Sequence, residues 1–152
     1  MNKVVFRNCD ENSPYWTVLE ELFQAEWSDF LFADSYQSDA NLPPVIVALR
    51  DNQVIGGLAY SHFKEPHGDS EVIWLNAVFV SKEWRGQGIA SELINRGVGQ
   101  VSGFIQSRLY VYTNVKPLYQ SLGWSVVEIE SEPNHNVMSI LLESRADGSS
   151  PV

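Results

Sequence analysis

The stretch Glu71-Val72-Ile73-Trp74-Leu75-Asn76-Ala77-Val78-Phe79-Val80, continued through Ser81-Lys82-Glu83-Trp84 into Arg85-Gly86-Gln87-Gly88-Ile89-Ala90, decides the fold. Its first ten residues are almost continuously apolar, the pattern of a central strand covered on both faces. After the loop, apolar residues fall at Ile89, Ala90, Leu93, Ile94, Val98 and Val101, with successive gaps of 1, 3, 1, 4 and 3. That spacing predicts one buried face of a helix. A buried strand, a glycine loop and an amphipathic helix in sequence form a strand-loop-helix unit. Glycines let the loop backbone approach a ligand closely, and the unpaired N–H groups of the helix start, with the helix dipole, favour an anion such as a phosphate.

Two nucleotide-binding readings fail on the residues. A dinucleotide fingerprint needs a third glycine where Ser91 stands and an acidic residue about twenty positions later. Residues 93–127 contain none. A Walker A loop needs Gly-Lys-Ser/Thr, where this loop has Gly-Gln-Gly.

Upstream, Pro44 to Leu49 and Val54 to Phe63 flank an Asp51-Asn52 turn and predict a hairpin. Gly56-Gly57 inside the second strand predicts a bulge or a close backbone approach. Lys3 to Arg7 is expected as a short strand. Ser13 is expected to cap a helix with Pro14 at its first position, carrying Trp16, Leu19, Leu22, Phe23 and Trp27 on one side. A second helical or irregular piece is expected over Ser28 to Ala40. Trp16, Trp27, Phe30 and Tyr36 are expected in the core, with one or two bordering a pocket. Gly97 and Gly99 within the later helix predict close packing or fraying.

Downstream, the pattern predicts a strand at Arg108 to Tyr112, a short helix at Val115 to Leu122 stopped by Gly123, and strands at Trp124 to Glu130 and Val137 to Leu142. The expected order is β-α-α-β-β-β-α-β-α-β-β, an α/β chain with an α+β type of mixed sheet. Residues 1–144 are expected to form a single domain and 145–152 a disordered tail.

Composition fits that reading. The 152 residues are 44% hydrophobic and 12% aromatic, a globular and not a disordered composition. No apolar run is long enough for a membrane helix, and the N-terminal stretch lacks the apolar segment of a signal peptide. The single cysteine, Cys9, excludes an internal disulfide framework and leaves cytoplasm as the default location. Ten Lys and Arg against 19 Asp and Glu give a net charge of −9, which argues against nucleic-acid binding. Residues 82–116 run against the trend. They carry Lys82, Arg85, Arg96, Arg108 and Lys116 against Glu83 and Glu92, a net +3. This segment is the place to expect an anionic ligand, or else a solvated helix face of mixed charge.

The sequence resembles the GNAT superfamily of acyl-coenzyme A-dependent N-acyltransferases. Arg85, Gly88 and Ala90 satisfy the family's Arg/Gln-x-x-Gly-x-Gly/Ala pattern, and Leu75 to Val80 is similar to its fourth strand. Leu109 to Asn114, Pro117-Leu118-Tyr119 and Leu122-Gly123-Trp124 resemble its second block. The resemblance implies a mixed sheet splayed between its fourth and fifth strands. It implies acetyl-CoA as co-substrate, with backbone groups across Val78, Phe79 and Val80 on the pantetheine and thioester. Amides of Arg85, Gly86, Gln87, Gly88, Ile89 and Ala90 would cradle the pyrophosphate, and Asn114 would touch the pantetheine arm. Tyr119 matches the tyrosine that acts as general acid on the departing thiolate.

One departure concerns the base. Family members that carry a glutamate within the fourth strand have it where Trp74 stands. Glu71, His62 or a water chain are the remaining candidates. His67 and His135 fall in turns without ligand spacing, and no metal site is expected. The implied activity is transfer of acetyl to a primary amine of a small molecule or peptide by direct attack, in a monomer or homodimer with no membrane partner. The alternative is a non-catalytic module that binds or senses acyl-CoA.

Overall fold

The computed structural model describes residues 3–37 and 40–143, and the expected tail at 145–152 lies outside them. One seven-stranded mixed sheet carries the molecule, in the order β1-β2-β3-β4-β5-β7-β6. Its strands are β1 (Val4–Cys9), β2 (Val45–Arg50), β3 (Gln53–Lys64), β4 (Glu71–Val80), β5 (Arg108–Thr113), β6 (Ser125–Val127) and β7 (Asn136–Leu141). The α-helices are α1 (Trp16–Glu26), α2 (Ile89–Val101) and α3 (Lys116–Ser121). Neighbouring strands are antiparallel except β4 and β5, which run parallel.

The sheet buries both faces. On one side Leu58, Tyr60, Leu75, Leu109, Val111 and Met138 pack with Leu93, Ile94 and Val101 of α2 and with Tyr119 of α3. On the other, Val45, Val47, Leu49, Ala59 and Ala77 pack under Leu19 and Phe23 of α1. Gly97 of α2 lies against Leu58, and its carbonyl accepts the Tyr60 hydroxyl at 2.9 Å, the close packing expected there.

The N-terminal third differs from the sequence reading at two points. α1 starts at Trp16, two residues after Pro14. Ser13 closes the preceding turn, its Oγ accepting the Tyr15 N–H at 3.1 Å and its carbonyl the Trp16 N–H at 3.2 Å. The second piece is one 3-10 turn, Phe32–Asp34. Phe30, Leu31 and Phe32 are consecutive rather than spaced for a helix. Phe32 is buried by stacking on Trp16 at 4.0 Å, and a Glu20 carboxylate oxygen takes its N–H at 2.8 Å.

Two irregularities shape β3 and β4. The β2–β3 register shifts at Ala48/Leu49, opposite Gly56. A Cβ at Gly56 would lie 2.5 Å from the Phe79 carbonyl, and one at Gly57 2.6 Å from Leu19 Cδ1, so both the bulge and the close approach expected there are present. The β3–β4 register shifts between Ala59 and Tyr60, which leaves Asn76 as the extra residue on β4. A bulge bends its strand. β4 and β5 pair only at Trp74↔Tyr110 and Leu75↔Val111, and part where Asn76 intervenes. Gln106 fastens the closed end. Its amide donates to the Ile73 carbonyl at 2.9 Å and its Oε1 accepts the Ile73 N–H at 2.7 Å, extending the ladder with a side chain.

Candidate active site

Where β4 and β5 diverge, an open cleft of about 1090 Å³ crosses the sheet. Asn76, Ala77 and Val78 border it from β4, and Tyr112, Thr113 and Asn114 from β5 and the residue after it. Tyr119 enters from the α2 and α3 face. Trp27, Phe63, Trp74 and His135 also border it, and Phe63 meets Trp74 edge-on at 5.8 Å.

The backbone of β4 serves its two sides alternately. The Phe79 carbonyl faces Gly56 of β3, and the Ser81 N–H bonds the Ile55 carbonyl at 2.8 Å. The backbone groups of Val78 and Val80 therefore face the opposite side, where β5 has moved away. The Val80 carbonyl is taken by Arg85 Nε at 2.8 Å, which leaves Val78 the freer of the two. Phe79 does not join them, since its backbone serves β3 and its ring packs on Phe23 at 6.4 Å.

The glycine loop stands at the C-terminal end of β4. Gly86 has φ 80° and Gly88 φ 81°, the left-handed region where residues with a Cβ are strained, and open space surrounds both Cβ positions. The first backbone hydrogen bond of α2 runs from the Glu92 N–H to the Gly88 carbonyl at 3.1 Å. Ahead of it, the amides from Gly86 to Ser91 have no backbone acceptor among the described residues. They form a cradle of unpaired N–H groups.

The cationic segment of the sequence is dispersed by the fold. Arg96 pairs with Glu92 at 2.8 Å and lies over the Phe6 ring, while Arg108 reaches Ser139 at the far end of β5. Lys82 and Lys116 remain at the loop end of the sheet, just past the C-termini of the parallel strands β4 and β5.

Tyr119 is 3% exposed, its ring edge-on to Trp124 at 5.1 Å. Its hydroxyl bonds no other described residue, and burial raises its pKa above the ordinary tyrosine value. Asn114 is exposed on the cleft wall.

Neither base candidate reaches this wall. Ser61 and Phe63 border the cleft, so His62, between them on β3, points to the other face. Glu71 begins β4 at its exposed end, opposite Lys64. Trp74 fills the place a strand carboxylate would take, 8% exposed between Phe63 and Tyr110, with its indole N–H unpaired among the described residues. His135 carries no signal in the sequence, because a lone histidine in a turn gains a partner only when its turn is docked against the cleft. Among the described residues, no group of His, Cys, Asp or Glu is placed to hold a metal ion.

A mixed sheet opened along its parallel pair, with a glycine loop and helix start at the end of the fourth strand, defines the acyltransferase class of enzyme. The chain belongs to the acetyltransferase (GNAT) family, which it matches over residues 9–124. Among solved structures it is similar to Arabidopsis thaliana Naa50 in complex with the bisubstrate analogue CoA-Ac-MVNAL, at 19% identity and TM-score 0.66, covering 90% of this chain and 97% of that one. An aminoglycoside 6'-N-acetyltransferase complexed with coenzyme A gives TM-score 0.71 at 14% identity, covering 93% and 98%. The Escherichia coli GNAT family N-acetyltransferase YhbS in complex with CoA gives 0.66 at 19%, covering 98% and 87%. No curated protein matches the sequence. Among the described residues no helix is long and apolar enough to cross a membrane.

Proposed function

We propose that this protein transfers acetyl from acetyl-CoA to a primary amine of a small molecule or peptide by direct attack. The observation that carries the reading is the cleft itself. It joins the two faces of the sheet, with Tyr119 on one and an aromatic mouth on the other. Acetyl-CoA fits on two grounds, the space beside Gly86 and Gly88 under unpaired amides and the free backbone of Val78. When bound, it supplies an activated acyl carbon and a thiolate leaving group.

The chain's own groups then divide the work. Amides from Gly86 to Ala90 hold the pyrophosphate, Val78 orients the arm, and Asn114 lines its far wall. Tyr119 donates a hydrogen bond to the departing sulfur. Its pKa, raised by burial, lies above the roughly 8.5 of a thiol, so full proton transfer to the thiolate runs uphill. Stabilisation by a held O–H is the larger service.

The acceptor side is apolar and acidic at once. Trp27, Phe63, Tyr112 and Ile129 border the cleft although exposed, with Glu65, Glu130 and Glu132 beside them. That lining supports a cationic amine on an apolar or aromatic body. The similar proteins carry a peptide-bearing analogue in one case and act on aminoglycosides in another. We further propose a single domain over residues 1–144, cytoplasmic, monomeric or homodimeric, without nucleic-acid or membrane partners.

The test is thiol release from acetyl-CoA against arylalkylamines, polyamines, aminoglycosides and peptides with free N-termini. Amine-dependent release supports the enzyme. Binding of acetyl-CoA by calorimetry with no release for any acceptor leaves the acyl-CoA-binding module, which the tryptophan at position 74 favours.

A further inference from the structure

We infer that His135 is the general base that deprotonates the acceptor amine, an assignment that rests on the acetyl-transfer reading above. His135 sits on the connection between β6 and β7 and borders the cleft on the face opposite Tyr119. Its surroundings fix it. The His135 N–H closes a turn onto the Glu132 carbonyl at 3.0 Å, and Asn134 holds a left-handed φ of 64°. The imidazole stacks on Tyr112 of β5, centroids 5.0 Å apart at 20°. The Tyr112 hydroxyl accepts the Glu132 N–H at 3.2 Å and faces the Glu132 carboxylate at 3.3 Å, tying the turn to the cleft wall.

The tautomer follows from the partner. Nδ1 lies 3.1 Å from the Pro133 carbonyl, which can only accept. Nδ1 therefore carries the hydrogen, and in the neutral ring Nε2 holds a lone pair with no other described residue bonded to it. A base needs that arrangement: an oriented ring, an engaged Nδ1–H and an unengaged Nε2. The β5–β7 register pairs Thr113 with Asn136, which sets His135 beside Asn114, where β5 leaves the sheet. Charged and titratable groups bordering the same cleft are Glu130 and Glu132 on its own segment, Tyr112 on β5, Tyr119 of α3 on the opposite face, and Lys64 and Glu65 where β3 turns toward β4.

The step balances simply. Nε2 takes one proton from the ammonium, and the freed lone pair forms the C–N bond to the acyl carbon as the C–S bond breaks. The amide nitrogen releases its second proton to solvent, and the thiolate takes one from solvent. The products are the amide, the thiol and an imidazolium that returns its proton to water.

His135→Asn retains a donor for the Pro133 carbonyl and removes Nε2. At pH 7 its kcat/KM for a basic amine should fall ~10²-fold, the low end for general base catalysis, with acetyl-CoA affinity unchanged. The deficit should shrink as pH approaches the amine's own pKa, and nearly vanish for a weakly basic amine that is already neutral. A deficit constant across pH, or a profile within twofold of wild type, overturns the assignment. In the free wild-type protein, nitrogen NMR should show the Nδ1–H tautomer, and an Nε2–H tautomer also overturns it. If His135→Asn does not fold, a His62→Gln/His67→Gln double variant leaves His135 as the last of three histidines. Diethyl pyrocarbonate should then abolish turnover and hydroxylamine restore it, and full activity after modification counts against His135. Wild-type protein showing no amine-dependent thiol release refutes the acetyl-transfer reading instead.

Discussion

Tyr119 and Gly88 put different physical demands on their positions, and substitutions separate them. Tyr119→Phe keeps the ring against Trp124 and removes only an unbonded hydroxyl. Stability should hold, acetyl-CoA affinity should stay within a few-fold, and kcat should fall ~10²-fold, the size expected for one lost donor at a developing charge. Steady-state kinetics with a confirmed acceptor checks this, and turnover within twofold of wild type reduces Tyr119 to packing. Gly88→Val meets no neighbour, yet it forces a β-branched residue to φ 81° and places methyl groups where the cradle is open. Calorimetry should show most acetyl-CoA binding lost in a folded protein. Arg85→Ala should cost less, because Arg85 bonds the Val80 carbonyl and does not form the cradle. The reverse ranking would give the side chain the holding role. The left-handed turn at Gly86 and Gly88 and the place of Tyr119 beside the cleft were legible in sequence, since a motif encodes backbone need and residue type. His135 was not, because its chemistry depends on a carbonyl two residues away and a ring on another strand.

Elements decide whether the cleft opens. β4 and β5 are held together over two residue pairs, and Gln106 grips Ile73 just before them. Gln106→Ala leaves an N–H and a carbonyl of a buried residue without partners, a loss of about 1–3 kcal/mol by the usual cost of such groups. Urea unfolding should show it, with faster hydrogen exchange at Ile73 than on β3. An unchanged midpoint would mean that water replaces the side chain at no cost. The strand from Glu71 to Val80 was evident from its apolar run. The bulge at Asn76 was not, because register is a relation between two strands and the pattern of one does not contain it. For the same reason the second N-terminal element is a single 3-10 turn. Its aromatics are recruited one by one by Trp16 and Phe23, and no helix face exists to align them.

Across the whole molecule, two buried tyrosines and the half-buried Tyr36 set an alkaline limit. Burial raises the pKa of Tyr36, Tyr60 and Tyr119 above 10, while in the unfolded chain each titrates near 10. Their contribution is thus fully present below about pH 10 and is lost as pH rises toward the folded values. Denaturant midpoints should show no loss from these residues between pH 7 and 9 and a fall above 10. Absorbance at 295 nm should show them ionising only on unfolding, and early titration of all six tyrosines in folded protein would contradict the burial. Tyr60 also links β3 to α2, donating to the Gly97 carbonyl and accepting from Gln100 at 3.0 Å. The sequence by itself determined the strand-loop-helix unit, the order of strands and helices from β2 onward and the glycine loop, because periodicity and glycine placement act along the chain. Tertiary structure alone decided where the cations go, which face each β3 residue takes, and which histidine meets the cleft. Those are properties of distance in space, and residues separated by twenty positions or more, such as Tyr112 and His135, become neighbours only when strands pair.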